Sequence, residues 1–210
     1  MRQLVLLFGL ILLLHPAARA QHAFSTETLE KFQPTMGHYA LRDGRQGEGE
    51  ITFEPAVTPR VTIRLSDGKK VKFRPDEVVS FTLGECLFMP TNELAEHPTE
   101  ANAARYHGYF VQVLDTGHLV LVRQYKPLSK AGASSTALLI RHSTDGHWTE
   151  IPMPFRGAPS SQSFRETLAP FLAGRDDLLE DLHDSKLTYR LVPAYVEAYN
   201  SGHELRVEEE

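Results

Sequence analysis

Among the side chains that most often bind metals or act as nucleophiles, this chain of 210 residues has ten histidines and a single cysteine. No histidine occurs in His-x-His or His-Glu-x-x-His spacing, so no zinc motif is present. His142 and His147 flank one predicted hairpin turn and could face each other, but such pairs are more often exposed hairpin ends. The sequence therefore predicts no metal site and no cofactor.

The single cysteine, Cys86, lies in the apolar run Cys86-Leu87-Phe88-Met89. A free thiol in such a run behaves as a small hydrophobic group. A nucleophilic thiol needs a histidine partner and an exposed, electropositive setting, and the neighbouring residues supply neither. We therefore expect a buried, inert thiol and no internal disulfide.

The motif Asp115-Thr116-Gly117 has a catalytic counterpart in aspartic proteases, where two carboxylates share one proton. Apolar residues precede the motif in those enzymes, as Val113 and Leu114 do here. This chain has no second Asp-Thr/Ser-Gly, and it carries His118 where those enzymes usually have Ala or Ser. The same three residues make a good turn between two strands, which is the interpretation we favour. No catalytic residue is assigned, although a hydrolase with dispersed catalytic residues stays the alternative because triads can be scattered in sequence.

A cluster of cations is the remaining candidate site, although the chain as a whole has a net charge of −5. One face of a predicted hairpin carries four of them, with Arg60 and Lys69 close by: Arg64, Lys70, Lys72 and Arg74. Such a stripe could contact an anionic surface, such as a lipid head group or a polysaccharide. The alternative is a solvated strand face that keeps the sheet edge soluble.

The hairpin that carries these cations is the clearest structural signal, because apolar and polar residues alternate over residues 60–84. The predicted core positions are Val61, Ile63, Leu65, Val71, Phe73, Val79, Phe81 and Leu83. Asp67-Gly68 supplies the turn between the first two strands. Further Asp-Gly and Asp-Thr-Gly turns between short apolar runs describe an antiparallel meander. Two runs, 109–114 and 119–125, are apolar at nearly every position, which is typical of central strands.

The pattern changes from strands to helices near residue 152, so we predict an α+β protein: a twisted antiparallel sheet or small open barrel, then about three short helices. Ser163 and Glu166 form a predicted capping box, and Pro170 should kink or shorten the first helix. Helices are predicted next over 176–184 and 193–200. The predicted organisation is a signal peptide (1–20), a polar lead-in (21–36), the β region (37–151), a Pro-rich connector (152–162), helices (163–202) and an acidic tail (203–210).

The first twenty residues have the three parts of a secretory signal peptide: a positive start, an apolar stretch from Leu4 to Leu14, and Ala18-Arg19-Ala20. We expect cleavage between Ala20 and Gln21, and hence a periplasmic or secreted protein; an uncleaved anchor is the alternative. Loss of Arg2 and Arg19 would leave 20 basic and 27 acidic side chains, a net charge of −7. That balance argues against nucleic-acid binding. No transmembrane span is expected after signal removal.

Several short segments occur in a characteristic order along the chain: Gly49-Glu50-Ile51, Asp67-Gly68-Lys69, the run from Phe73 to Phe81, the paired apolar strands, and Tyr199-Asn200. In this order the chain resembles exported Bacteroidota proteins of unknown function. The resemblance spans most of residues 37–202 and implies an exported β-rich fold, but it brings no catalytic residue with it. We expect a non-enzymatic envelope or secreted protein that binds a protein partner or an anionic surface polymer.

Overall fold

The structure is a computed structural model that describes residues 29, 32–56, 59–91, 108–127, 134–153, 160–184 and 189–205. Over these ranges the chain forms ten strands in one open antiparallel sheet, followed by three α-helices. The predicted α+β class is therefore confirmed. The predicted signal peptide (1–20) and the predicted cleavage site between Ala20 and Gln21 lie outside the described residues.

The strands follow one another as a meander for most of the chain. They are β1 (Thr35–Leu41), β2 (Gln46–Glu54), β3 (Arg60–Arg64), β4 (Lys70–Phe73), β5 (Val78–Leu83), β6 (Cys86–Thr91), β7 (Tyr109–Thr116), β8 (Leu119–Pro127), β9 (Ser134–His142) and β10 (Thr149–Ile151). Their order across the sheet is β10-β9-β8-β7-β6-β5-β1-β2-β3-β4. The two strands predicted to be central, β7 and β8, each have a strand on both sides.

An aromatic core shows that the sheet curls strongly on itself. Phe53 of β2 lies 5.6 Å from Phe110 of β7, measured between ring centroids. These two strands are four positions apart in the sheet order, a separation of about 19 Å if the sheet were flat. A 3-10 helix, Pro75–Glu77, likewise links the edge strand β4 to β5 within a few residues. The inner, concave face therefore encloses the aromatic core.

A second core lies where the helices cover the other half of the inner face. The helices are α1 (Ser160–Leu168), α2 (Asp176–Asp184) and α3 (Val192–Ser201), with 3-10 turns at Ala169–Leu172 and Tyr189–Leu191. Their apolar residues pack on inner-face residues of β7 to β10, among them Leu121, Ile140 and Ile151. The three helices thus dock on the sheet.

Two details of the sequence interpretation are wrong. Val79 is 49% exposed, whereas its neighbour Val78 is buried. The reason is a bulge: Leu41 pairs with Val78 and Ala40 with Ser80, so Val79 is an extra residue that points outward. The second error is the capping box, because α1 begins at Ser160 and Ser163 lies inside it.

The last turn of the first helix behaves as predicted. The α-helix ends at Leu168, and the chain continues as a 3-10 turn that contains Pro170. Proline cannot donate the main-chain hydrogen bond that an α-helix needs. Helix α3 ends at Gly202, whose φ of 73° is in the left-handed region.

The described residues of the polar lead-in pack on the aromatic core, which their polar composition does not indicate. Phe32 packs edge-on against both Phe53 and Tyr125, with centroid distances of 5.2 and 5.0 Å. The backbone N–H of Leu29 donates to the hydroxyl of Tyr125 at 3.0 Å. These described residues of the lead-in therefore cover the open side of the aromatic core.

Candidate functional site

The predicted cations lie together on the outer face of β3 and β4. Arg64 is directly opposite Lys70, and Thr62 is directly opposite Lys72. Both lysines are exposed, and Arg74 follows at the end of β4. Because β4 is the last strand in the sheet order, we call Arg60, Arg64, Lys70, Lys72 and Arg74 the basic edge.

Carboxylates neutralise two members of the basic edge. Arg64 Nε lies 3.1 Å from Glu50 Oε1, across the β2–β3 pair. Arg74 Nε lies 3.3 Å from Asp76 and 3.5 Å from Glu77 in the 3-10 helix. Exposed ion pairs of this kind contribute little stability, but they do remove free positive charge from the surface.

The two lysines differ from these arginines. In the part of the chain that the structure describes, neither Lys70 nor Lys72 has a carboxylate within ion-pair distance. Lys70 and Lys72 are two positions apart along β4, so their Cα atoms are about 7 Å apart. The pair can therefore offer two neighbouring ammonium groups to anions at a similar spacing.

Charge changes in a regular way across three strands of the outer face. Glu50 on β2, Arg64 on β3 and Lys70 on β4 stand in one row across the sheet. Thr52, Thr62 and Lys72 form the next row. The acidic side chain of β2 thus compensates an arginine of β3, and the positive charge of β4 is left at the margin of the sheet.

The Asp115 motif lies at the end of β7, with Gly117 and His118 forming the turn into β8. A bulge precedes it, because Val113 pairs with Val122 while Asp115 pairs with Leu121. The extra residue shifts the alternation so that Asp115 faces the inner, helix-covered side. Burial raises the pKa of the Asp115 carboxyl above its usual range, although the hydrogen bond from Asn200 acts in the opposite direction.

The Asp115 carboxylate points toward Asn200, near the end of α3. The Asn200 amide Nδ2 donates to Asp115 Oδ1 at 3.0 Å and to the Leu119 carbonyl at 2.8 Å. Its Oδ1 accepts from the Leu119 N–H at 2.8 Å. Gly117 permits this approach, since a Cβ there would lie 2.5 Å from Asn200 Cγ. The arrangement fastens a helix to a hairpin.

A buried polar group lies between the two cores. Arg123 Nη1 and the Tyr125 hydroxyl both donate to Gln112 Oε1, at 3.1 and 2.7 Å. Gln112 Nε2 donates to Cys86 Sγ at 3.3 Å, so the buried thiol is an acceptor in this network. Burial also raises the pKa of Tyr125. The sequence signal for this group is the presence of two polar residues, Gln112 and Arg123, within otherwise apolar strands.

The two histidines of the β9–β10 hairpin, His142 and His147, lie in different environments. The ring of His142 packs on Phe171 at a centroid distance of 5.2 Å, whereas His147 is exposed. Within the described ranges no three His, Cys, Asp or Glu side chains come together as metal ligands could. Trp148 packs on the outer face against Val111, Val122 and Leu139.

No family model matches the chain, and no curated protein or solved structure matches it. The resemblance to exported Bacteroidota proteins therefore stays a prediction. Among the described residues, no helix is both long and apolar enough to cross a membrane.

Proposed function

We propose that this protein is a non-enzymatic, exported binding protein whose basic edge contacts an anionic partner, a surface polymer or an acidic protein. The observation that carries the proposal is the pair Lys70 and Lys72, two exposed cations on one strand with no carboxylate partner in the described residues. Their charge is available to a partner, whereas that of Arg64 and Arg74 is shared with acids of the same chain.

The negative net charge of the chain strengthens the argument from Lys70 and Lys72. The chain has a net charge of −5, so a polyanion is repelled by most of the surface and attracted where cations are uncompensated. Each basic residue beside an anionic surface contributes about 1 kcal/mol, which corresponds to a factor of about five in affinity. Binding of this kind is weak, specific in orientation and sensitive to salt.

Export is supported by the signal-peptide pattern of the first twenty residues, with cleavage proposed between Ala20 and Gln21. Periplasmic and extracellular surfaces carry anionic polymers, which suit the basic edge. The alternative is a hydrolase with dispersed catalytic residues. Asp115 would be its best catalytic candidate, because burial raises the pKa of this carboxyl. Its hydrogen bond to Asn200 supports an anchoring role instead.

Titration of the protein with heparin, as a polyanion probe, tests the proposal. We expect binding that weakens as salt is raised, and a loss of about fivefold for either Lys70→Gln or Lys72→Gln. Arg190→Gln removes one exposed charge from the helical part and should leave heparin affinity unchanged. Equal losses in all three variants would exclude the basic edge as a binding site, and no heparin binding at low salt would exclude it as a site for anionic polymers.

A further inference from the structure

The edge strand β4 has one unpaired side in the described part of the chain. It pairs with β3, from Arg64 opposite Lys70 to Val61 opposite Phe73, and it is the last strand in the sheet order. An open edge presents a row of main-chain N–H and C=O groups that can pair with another strand.

The hairpin geometry shows which main-chain groups face that open side. The Leu65 N–H donates to the Lys69 carbonyl at 2.8 Å, so this pair is hydrogen-bonded. Bonded and non-bonded pairs alternate along an antiparallel ladder. Val71 and Phe73 therefore bond to β3, and the main-chain groups of Lys70 and Lys72 point to the open side.

The side chains of β4 divide between the two faces of the sheet. Lys70 and Lys72 are exposed on the outer face, whereas Val71 is half-buried and Phe73 is buried on the inner face. A strand added to this edge would meet cations on one of its faces and apolar groups on the other.

We propose that the anionic partner is an extended peptide segment with alternating acidic and apolar residues, which adds to β4 as a further strand. This inference rests on the proposed function and names the chemistry of the partner. Main-chain hydrogen bonds would supply affinity, and the alternate side chains would supply specificity.

The chain itself contains a pairing of this kind. On β2, Glu50 faces outward and forms an ion pair with Arg64 of β3, while Ile51 lies opposite Ile63 in the core. Both isoleucines are fully buried. Strand β2, with acidic and apolar residues, thus already pairs with β3, a strand with basic and apolar residues. Strand β3 is the partner of β4 in the same hairpin.

The lysines would also select against the wrong partner. If the β4 edges of two copies paired antiparallel, lysines would stand opposite lysines, and like charges directly opposite are destabilising. Lysine on an edge strand therefore discourages self-association. An acidic strand meets no such repulsion, so the same residues can exclude one partner and admit another.

A synthetic peptide with the sequence of residues 47–54, Gly-Glu-Gly-Glu-Ile-Thr-Phe-Glu, is the probe, and its matched control carries lysine in place of every glutamate. We expect the acidic peptide to bind the full chain and the control to bind at least about tenfold more weakly. Binding should slow hydrogen exchange at the amides of Lys70 and Lys72, measured by NMR, with a smaller effect in Lys72→Gln. Heparin should leave the exchange of these amides unchanged, because it has no strand to pair.

The two proposals can fail separately. If heparin binds and the acidic peptide does not, strand addition is wrong and the basic edge holds a polymer through its side chains alone. If the peptide binds without slowing exchange at Lys70 and Lys72, strand addition is likewise wrong, and the peptide is held by side chains. If neither probe binds, the proposed function falls as well.

Discussion

At Asp115, burial and hydrogen bonding shift the pKa in opposite directions. Burial is the larger effect and raises the pKa, with a smaller contribution from the negative charge of Glu197. Hydrogen bonds from the Asn200 amide and the Thr116 N–H lower it. The net result is a pKa above the ordinary value of 3.8.

A carboxyl group whose pKa is raised by folding binds its proton more tightly in the folded chain than in the unfolded chain. Its contribution to the free energy of unfolding is present below pH 3.8 and is lost as pH rises through the folded-state pKa. Asp115→Asn cannot ionise, so we expect this variant to gain stability relative to wild type as pH rises from below 3.8 toward neutrality. Urea unfolding midpoints over a pH series measure the difference.

Asp67→Asn is the control with the opposite sign. Hydrogen bonds from the backbone and side chain of Lys69 lower the pKa of Asp67. Wild type should therefore gain stability relative to Asp67→Asn as pH rises. If Asp115→Asn instead loses stability relative to wild type as pH rises, as expected for Asp67→Asn, burial does not dominate at Asp115.

At the scale of elements, alternation in the sequence predicted β3 to β5 because one face of each is buried, whereas continuous apolar runs predicted β7 and β8, which are buried on both faces. Alternation failed at Val79, where a bulge adds an extra residue and reverses inside and outside with no change in composition. A second bulge, in β7, turns Asp115 inward. The cations of the basic edge were also predictable. Which of them have a carboxylate partner among the described residues was not, because it depends on the register that places Glu50 beside Arg64.

The link between α3 and the β7–β8 hairpin depends on two residues that act together. Asn200→Ala removes three hydrogen bonds and leaves the Leu119 main-chain groups unpaired, which should cost about 1–3 kcal/mol. Gly117→Ala places a Cβ 2.5 Å from Asn200 Cγ and should displace that side chain. We expect Gly117→Ala to destabilise wild type and to have little further effect in the Asn200→Ala background.

A double-mutant cycle by urea unfolding measures this coupling. Glu197→Ala, at an exposed position one turn earlier in the same helix, provides a control in which no contact to Leu119 is lost. Additive effects of Gly117→Ala and Asn200→Ala would mean that Gly117 is not needed to make room for the Asn200 side chain.

At the scale of the molecule, two cores share one sheet. On β8, Leu121 belongs to the helix-covered core and Tyr125 to the aromatic core, with Arg123 between them. On β7, Gln112 lies in the same way between Phe110 and Leu114, and it hydrogen-bonds to Arg123. The same two strands therefore carry both cores, and their boundary is polar but hydrogen-bonded.

Because neither core can lose its strands without disturbing the other, we expect the described part of the chain to unfold as one cooperative unit. Phe53→Ala in the aromatic core and Leu168→Ala in the helix-covered core should each cost about 3–5 kcal/mol. Both variants should shift a single transition in which Trp148 fluorescence and the helical far-UV CD signal change together. If either protein fails to fold, Phe53→Leu and Leu168→Val provide milder changes. Separate transitions, with the helical signal surviving after Phe53 is truncated, would show that the cores are independent and that β7 and β8 do not couple them.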